Sequence, residues 1–330
     1  MWHVTGQIKR LVALLTVACA GMIASAQDIH PIETRNHRAV TLAFLRLYPQ
    51  TSVLPFGSKT WSTGITVAND LRRFGEGRSL VADEDYELVR LELGYRQGLR
   101  NGAEWGVQVP ILSRGSGFLD SIIDWWHAHT LRWGQSIRDI TARYRSVVQL
   151  PGEPVFGSAT GLGDISFTFA KELDKTVVLN AAVKLPTGDA GKLLGSGGID
   201  LGMSLNAKTS FGRRWYGFAQ AGIVAQGHPK ELIYARALVH QEALGLVWKP
   251  NSRDEWVLQW QGATTALQTG YPKDDAAERL VTFGFQRRLS DHKRLELFFS
   301  EDRDLFTGNF PEGANIGPDL TFGARLAWRF

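Results

Sequence analysis

The sequence predicts an all-β protein, a transmembrane antiparallel β-barrel of 12 to 14 strands with one short amphipathic helix. Three observations lead to this class. Segments of about ten residues alternate between apolar and polar side chains, short turns alternate with long polar loops, and the last strand ends in the aromatic Phe330. No run of about 18 apolar residues follows the first 26 positions, so a bundle of membrane-spanning helices is excluded.

Composition excludes several other classes of protein. Of the 330 residues, 44% are hydrophobic and 21% are charged, which is incompatible with a disordered or fibrous chain. The net charge of +4 is too small to indicate nucleic-acid binding, and the single cysteine, Cys19, lies in the amino-terminal leader. Thiol chemistry, disulfides and nucleic-acid partners are therefore not expected.

The first 26 residues have the organisation of a cleaved signal peptide. The basic pair Lys9-Arg10 precedes an apolar stretch, residues 11–20, and Ala24-Ser25-Ala26 forms an A-x-A cleavage pattern. An uncleaved anchor is disfavoured because this apolar stretch is too short to span a membrane comfortably. We expect residues 1–26 to be removed on export and residues 27–330 to form one barrel domain in the outer membrane.

The last ten residues show the alternation most clearly. From 321 to 330, one face carries Phe, Ala, Leu, Trp and Phe, and the other carries Thr, Gly, Arg, Ala and Arg. A soluble core would bury the two arginines, whereas a membrane barrel turns them toward its lumen. Fourteen such segments are found, and the first and fifth are the weakest, so the count is twelve to fourteen. The segments are 40–47, 61–71, 86–96, 104–112, 140–148, 163–171, 177–185, 199–210, 215–224, 243–248, 256–263, 280–289, 294–300 and 321–330.

The connections after residue 150 alternate in length, as in outer-membrane barrels with periplasmic turns and extracellular loops. Aromatic residues near the strand ends are typical of the aromatic belts that barrels place at the two membrane interfaces. The terminal Phe330 is similar to the insertion signal of bacterial outer-membrane proteins. Outer-membrane lipid, lipopolysaccharide and the barrel-insertion machinery are the expected partners, and the oligomeric state is left open. The short turns are 172–175, 211–214, 250–254 and 290–293, and the long loops are 187–198, 227–235, 266–278 and 302–319.

Residues 118–131 break the alternation. Apolar side chains recur there at helical spacing, which predicts an amphipathic helix. This helix either plugs or gates the barrel, or lies in the membrane interface. Its apolar face consists of Phe118, Leu119, Ile122, Ile123 and Trp126.

The inward-facing positions carry an excess of basic side chains, ten against five acidic ones by the alternation. A positive excess in a low-dielectric wall attracts anions, and a barrel of this size is wider than an eight-stranded packed core. The pattern therefore favours an anion-preferring channel. The candidate lumen-lining residues are Arg90, Glu92, Arg96, Arg143, Arg145, Lys184, Asp200, Lys208, Arg288, Arg294, Glu296, Arg325 and Arg329.

Several motifs resemble known families. The first set resembles the GLGD, KLPTGD and LGSGG-D series of outer-membrane proteins grouped under the phenol-degradation MetA-pathway name; it consists of Gly161-Leu162-Gly163-Asp164, Lys184-Leu185-Pro186-Thr187-Gly188-Asp189, and Leu194-Gly195-Ser196-Gly197-Gly198 with Asp200. A second set is more similar to a sister family of exported barrels, a domain of unknown function of the DUF3187 type; it consists of Pro31-Ile32-Glu33-Thr34-Arg35-Asn36 and Gly117-Phe118-Leu119-Asp120. The first resemblance implies a channel for aromatic compounds. Taken by themselves, the glycines fit structural roles at strand starts and turns.

We interpret the chain as a porin-like outer-membrane channel for small solutes. Anions are indicated by the charge count and aromatic compounds only by the resemblance. Two alternatives remain, a plugged, non-conducting barrel with a structural or binding role and, more distantly, an outer-membrane hydrolase. No nucleophile elbow or metal-ligand spacing accompanies the histidines, so no catalytic residue, cofactor or metal site is predicted.

Overall fold

The computed structural model describes residues 28–76, 79–117, 119, 121, 145–229, 231–272, 274–302, 318 and 320–330. Within them, the backbone forms 15 strands, a short helix α1 (Ala39–Leu42) and a 3-10 turn at Ala190–Lys192. The strands are β1 (Lys59–Glu76), β2 (Ser79–Leu99), β3 (Ala103–Gly115), β4 (Val147–Gln149), β5 (Val155–Phe156), β6 (Ala159–Leu162), β7 (Ser166–Glu172), β8 (Val177–Lys184), β9 (Asp200–Ser210), β10 (Trp215–Ala225), β11 (Leu238–Trp248), β12 (Asp254–Ala263), β13 (Glu278–Ser290), β14 (Lys293–Asp302) and β15 (Leu320–Arg329).

Twelve of these strands close into an antiparallel barrel. β1 pairs with β2 on one side and with β15 on the other, and the ladder runs from β15 back to β7. β3 then joins β7 to β2 and completes the ring. The short strands β4, β5 and β6 extend the wall beside β2 and β3. Closure removes the free edges that a sheet cannot expose in lipid. The all-β barrel class is confirmed, at the lower end of the predicted strand count.

The barrel is apolar outside and polar inside. In β9, the side chains of Leu201 and Met203 are 58% and 49% exposed, whereas Ser204 and Asn206 are almost inaccessible. This inversion of a soluble protein's pattern is typical of a barrel whose outer surface faces lipid. No helix among the described residues is long and apolar enough to cross a membrane.

The two ends of the barrel differ. At one end, which we call the short-turn end, tight turns join β2 to β3, β7 to β8, β9 to β10, β11 to β12 and β13 to β14. Aromatic side chains ring this end: Trp215 stacks on Trp248 with ring centroids 6.0 Å apart, and Tyr95 contacts both Trp61 and Trp105. The opposite, long-loop end carries the extended connections between strands. Short turns at one end and long loops at the other are what the sequence predicted for the connections after residue 150.

The lumen contains a chain segment that is not part of the wall, residues 28–54, which we call the luminal segment. It enters at the short-turn end, where the ring of His30 lies 3.0 Å from Glu255 near the start of β12. It reaches the long-loop end at helix α1 and then returns to the short-turn end. There the N–H of Leu54 donates to Glu104 near the β2–β3 turn. The hydroxyl of Thr51 donates to the carbonyl of Ile29 at 2.7 Å and joins the two limbs. The segment is therefore a loop that enters and leaves through the same opening.

Wall glutamines hold the backbone of the luminal segment. The amide of Gln259 accepts a hydrogen bond from the N–H of Ile32 and donates to its carbonyl, both at 3.0 Å. Gln241 likewise accepts from the N–H of Leu47 at 2.9 Å and donates to the carbonyl of Leu45 at 3.0 Å. Because a buried peptide group without a partner is costly, these amide clamps replace the ladder partners that a strand would have.

The structure corrects the first predicted strand, 40–47. These residues form helix α1 and an extended stretch inside the lumen rather than a piece of the wall. The alternation is real, because Leu45 and Leu47 pack together against Val224 of β10. An extended chain produces the same two-residue period whether it belongs to the wall or is held inside it. Period alone therefore does not distinguish the two positions.

The predicted strand 140–148 and the predicted helix 118–131 lie mostly outside the described residues. Of the strand, residues 147 and 148 belong to the short strand β4, which pairs with β2. Of the helix, only residues 119 and 121 are described. Leu119 is buried, and its N–H donates to a carboxylate oxygen of Glu87.

A wall glycine provides a test of the position of the luminal segment. A Cβ at Gly284 would lie 2.4 Å from Cδ1 of Ile32, whereas one at the lumen-facing Gly64 would have no neighbour closer than 3.6 Å. We expect Gly284→Ala to lower the free energy that holds the segment in the lumen by about 1 to 3 kcal/mol, because overpacking a well-packed site costs that much. A cysteine replacing the buried Thr34 should then react with a maleimide about tenfold faster, since about 1.4 kcal/mol corresponds to a factor of ten.

The measurement uses the refolded chain 27–330, which lacks Cys19, the one natural cysteine. Gly64→Ala is the matched control and should leave the labelling rate of the Thr34→Cys protein unchanged. Equal labelling rates in the two glycine variants would show that Ile32 does not pack against Gly284.

Candidate functional site

The candidate site is the lumen, and the predicted lining residues fall in different parts of it. The vestibule described below is lined by Arg96, Arg288, Arg294, Glu296, Arg325 and Arg329. Arg90 and Glu92 lie farther along β2, and Lys208 lies 3.9 Å from Asp28 at the start of the luminal segment. Toward the long-loop end, Arg145 pairs with Asp83, and Lys184 lies 3.5 Å from Asp200. The remaining candidates, Arg143, Phe118, Ile122, Ile123 and Trp126, lie outside the described residues.

A vestibule of about 370 Å³ occupies the short-turn end. Both limbs of the luminal segment line one side of it, and the ends of β2, β14 and β15 with two short turns line the other. Eight lysine and arginine residues line it, against six aspartate and glutamate residues. The apolar side chains of Val53 and Leu54, with Pro55, complete its lining. The vestibule thus combines a basic wall with an apolar patch.

The basic wall of the vestibule forms an arc over neighbouring strands, which we call the basic arc: Arg96, Arg288, Lys293, Arg294 and Arg329. Arg288 lies directly opposite Arg294 in the β13–β14 ladder. Arg96 and Arg329 both pair in register with Thr60. Like charges directly opposite each other destabilise a ladder, so an arc of this kind favours anions from solution.

Within the described residues, most of the basic arc lacks a close counterion. Arg294, Arg329 and Lys293 have no carboxylate within 4.0 Å, and Arg288 reaches Asp291 only at 4.0 Å. Arg96 has Glu104 at 3.4 Å. The positive potential at this end is therefore only partly neutralised by the protein.

Farther inside, basic side chains are paired with acidic ones. Arg325 donates to Glu92 at 2.7 Å and to a carboxylate oxygen of Glu33 in the luminal segment, and Glu296 lies 3.9 Å away. Arg90 also bonds Glu92. These pairs link the luminal segment to β2 and β15, and they reduce the inward charge excess in this part of the lumen.

The three glycine-rich motifs meet at one buried ion cluster near the long-loop end. The ammonium of Lys184 donates to Asp164 at 2.5 Å, to Ser196 Oγ at 2.7 Å and to the carbonyl of Gly198 at 3.0 Å. Asp164 also accepts from the N–H groups of Gly188 and Ser196. The motifs are thus held together by one salt bridge and its hydrogen bonds. Their glycines allow the close approach, since a Cβ at Gly195 would lie 2.1 Å from Asp164.

Asp200 connects this cluster to the luminal segment. Its carboxylate accepts from the N–H of Leu45 at 2.8 Å and from that of Gly227 at 3.0 Å. One carboxylate therefore bridges Lys184, the luminal segment and the β10–β11 loop. The cluster holds structure together and leaves Lys184 and Asp200 fully buried rather than open to a solute.

A buried apolar cluster, which we call the apolar cap, lies toward the long-loop end. Helix α1 and Phe44 pack against side chains from β2 and β3, the stretch around β4 to β6, the loop before β9 and the loops after β10 and β12. A buried ion pair ties the helix to the wall, because Arg38 bonds Glu84 at 3.0 Å and Asp274 at 3.0 Å. The cap residues outside the luminal segment include Val148, Leu150, Phe156, Leu193, Leu194, Leu232 and Leu267.

Sequence reasoning missed the luminal segment and the residues that bind it. A signal was available in the segment predicted as a strand. With a period of two, Arg46 falls on the same face as Val40, Leu42 and Phe44. A face that mixes an arginine with three apolar side chains fits neither the lipid side nor the polar lumen side of a barrel strand. The clamping glutamines carry no such signal, because a polar residue in a barrel strand is expected to point inward whatever it binds.

Comparisons with known proteins agree with the fold. The model of a family described as "Protein of unknown function (DUF3187)" matches residues 8–308. No curated protein matches the chain. Among solved structures, the COG4313 outer membrane channel from Pseudomonas putida F1 is similar, with a TM-score of 0.55 and 12% identity over 86% of this chain and 100% of that one. The P. putida toluene transporter TodX has a TM-score of 0.41 and 13% identity over 89% of this chain and 92% of that one. At 12% identity, the likeness to the COG4313 channel describes the fold alone.

The buried ion cluster generates a stability prediction. We expect Lys184→Met to lower the free energy of unfolding by about 3 to 5 kcal/mol, because it leaves Asp164 and Asp200 buried without their cation. Urea unfolding in detergent micelles, followed by tryptophan fluorescence, measures the change. The control is Lys192→Met, which removes a surface pair with Asp189 and should cost at most about 1 kcal/mol. Equal losses in both variants would contradict a buried role for Lys184.

Retention of the luminal segment should depend on pH through His37. Burial, with the charges of Arg90 and Arg35, holds the pKa of His37 well below its usual value. The released segment would bind a proton more readily, so the bound form loses stability as the pH falls below about 6.5, the usual histidine pKa. Burial and Arg294 also lower the pKa of His30, so His37→Gln should remove only part of the dependence.

The measurement is the labelling rate of the Thr34→Cys protein between pH 8 and pH 5.5. Each rate is divided by that of a cysteine at the exposed position Phe56, which corrects for the pH dependence of the thiol itself. A ratio that stays constant with pH, or that changes equally in the His37→Gln variant, would contradict the role of His37.

Proposed function

We propose that this chain, which belongs to the DUF3187 family of unknown function, is an outer-membrane channel for small organic anions. The observation that carries this proposal is the interior of the barrel. Twelve strands enclose a polar lumen that is occupied by the chain's own amino-terminal loop and opens into a basic vestibule. Likeness in fold to an outer membrane channel is consistent with a transport role rather than a catalytic one.

The preference for anions is supported by the basic arc. Arg294, Arg329 and Lys293 have no carboxylate within 4.0 Å among the described residues, and Arg288 faces Arg294 across the ladder. A vestibule with this charge raises the local concentration of anions. The neighbouring apolar surface, with Val53 and Leu54, suits an anion that also has a hydrocarbon or aromatic body.

The structure corresponds to a closed state in this proposal. Within the described residues, the luminal segment and the apolar cap lie between the vestibule and the long-loop end. Opening requires the segment to leave the amide clamps and α1 to leave the cap. The amide clamps are hydrogen bonds of modest net free energy, whereas the apolar packing of α1 and the buried Arg38 ion pair hold the segment at the cap.

The second candidate is a plugged barrel with a structural or binding role, and a specific observation favours it. The luminal segment is bound along its whole length, from His30 at the short-turn end through Arg38 at the cap to Leu54. If the segment never leaves, the barrel does not conduct. The experiment below separates this candidate from the channel.

Weakening the amide clamps should open the channel. We expect the double variant Gln241→Leu/Gln259→Leu, which removes four hydrogen bonds to the segment's backbone, to raise the open probability in planar bilayers about tenfold or more. The control is Gln220→Leu, which changes another buried wall glutamine that makes no hydrogen bond to the segment within the described residues. If the clamp substitutions accelerate labelling of the Thr34→Cys protein but produce no conductance, the channel is overturned and the plugged barrel is supported.

Anion selectivity should depend on the basic arc. Under a salt gradient, we expect the reversal potential of the clamp variant to indicate a preference for anions. Adding Arg288→Gln and Arg294→Gln should reduce the anion-to-cation permeability ratio severalfold, because the local potential falls. Arg213→Gln/Arg214→Gln is the matched control: it removes two exposed arginines at the same end that do not line the vestibule. A preference for cations, or an equal effect of the two double variants, would contradict the proposal.

A further inference from the structure

A second, small cavity lies between the luminal segment and the barrel wall. Its volume of about 20 Å³ is sufficient for one water molecule or a monatomic ion. The luminal segment contributes Arg35, Arg46 and Tyr48 to its lining, and Gln108 and Ser166 are neutral wall residues that face it. The cavity shares no lining residue with the vestibule.

Two buried guanidinium groups beside this cavity lack counterions. The side chains of Arg35 and Arg46 are 8% and 9% exposed, and neither has a carboxylate within 4.0 Å in the described part of the chain. Among the described residues, Arg35 donates only to the carbonyls of Thr41 and Phe44, and its Nε has no hydrogen-bond partner there. The Nε of Arg46 is likewise buried without a partner. Leaving a buried charge uncompensated costs several kcal/mol, so such a site favours an ion of opposite sign.

The nearby charges do not supply that ion. Asp164 lines the cavity, but its oxygens are engaged by Lys184 and by the N–H groups of Gly188 and Ser196. Arg90 adds a further positive charge and is engaged by Glu92. Glu278 attracts both Arg35 and Arg46, and Glu242 attracts Arg46, but neither carboxylate lies within 4.0 Å of these guanidinium groups. The cavity therefore has four basic side chains in its lining and one acidic side chain that is already bound.

We propose that a chloride ion binds in this cavity between Arg35 and Arg46 and holds the luminal segment in the lumen. The cavity is too small for an organic acid, which limits the ligand to an ion of about the size of a water molecule. Tyr48 can supply a further donor, because its oxygen accepts from Arg90 at 3.4 Å and its own proton remains available. Since both arginines belong to the segment and the opposite lining to the wall, the ion is released when the segment leaves.

The effect on the segment gives a functional test that does not require the barrel to conduct. We measure maleimide labelling of the Thr34→Cys protein, as the full chain 27–330, in sodium chloride and in the sodium salt of a bulky sulfonate at equal ionic strength. We expect labelling to be at least fivefold slower in chloride. Arg46→Gln should abolish this difference.

A second arginine of the same segment is the matched control. Arg38 is buried but paired with Glu84 and Asp274, so Arg38→Gln should accelerate labelling in both salts by the same factor and keep the chloride effect. Arg46→Lys, which keeps the charge, should retain part of the effect and covers the case in which Arg46→Gln fails to fold. Equal rates in the two salts, or a chloride effect that survives Arg46→Gln, would overturn the proposal.

Crystals grown in sodium bromide provide a direct structural readout. We expect an anomalous bromide peak between the guanidinium groups of Arg35 and Arg46. A cavity without a peak beside an ordered luminal segment would overturn the site. A peak without any chloride dependence of labelling would mean an adventitious ion only, and would equally overturn the role in retention.

Discussion

The luminal segment depends on side-chain amides of the barrel wall to satisfy its backbone. A chain placed inside a closed barrel cannot join the ladder, because each of the twelve barrel strands already has two neighbours. Its N–H and carbonyl groups must therefore bond to side chains, and Gln259 and Gln241 each satisfy one donor and one acceptor. The other features of the interior follow from this arrangement. Wall glycines such as Gly284 make room for segment side chains, and Arg38 of the segment meets the wall carboxylate of Glu84.

Much of the barrel wall could be predicted from the sequence, because lipid on one side and a polar lumen on the other impose the same period of two on every strand. The error at 40–47 has a physical origin. Leu45 and Leu47 alternate with Arg46 because the chain is extended, and an extended chain in the lumen has the same period as one in the wall. The same reasoning could predict the basic residues of the site, but it could not predict the acidic residues with which they pair. Which of them are neutralised depends on contacts between distant parts of the chain, such as Arg325 with Glu33.

The distribution of charge along the lumen separates two roles for its arginines and lysines. Toward the long-loop end, Lys184 and Arg38 are buried and paired, so they hold loops and segment in place. At the short-turn end, Arg294 and Arg329 face a water-accessible vestibule with no carboxylate within 4.0 Å among the described residues. Water screens these charges enough to make their lack of a counterion tolerable, and the same exposure makes them available to solutes. Arg35 and Arg46 are buried and have no carboxylate within 4.0 Å among the described residues. For this reason we infer that they bind an anion from solution.

The path of the luminal segment also determines how it could move. Both of its limbs are held near the short-turn end, His30 by Glu255 and Leu54 by Glu104, while α1 lies at the far end beneath the cap. Because the chain enters and leaves through one opening, it can withdraw toward the vestibule as a loop, without threading an end through the barrel. Its connection to β1 stays in place, since Ser58 and Lys59 remain bonded to the neighbouring strands. Withdrawal would first break the contacts of α1 with the cap and the Arg38 ion pair. In the proposed channel, the barrier to opening would therefore lie at the long-loop end, whereas the basic arc that would select the solute lies at the other.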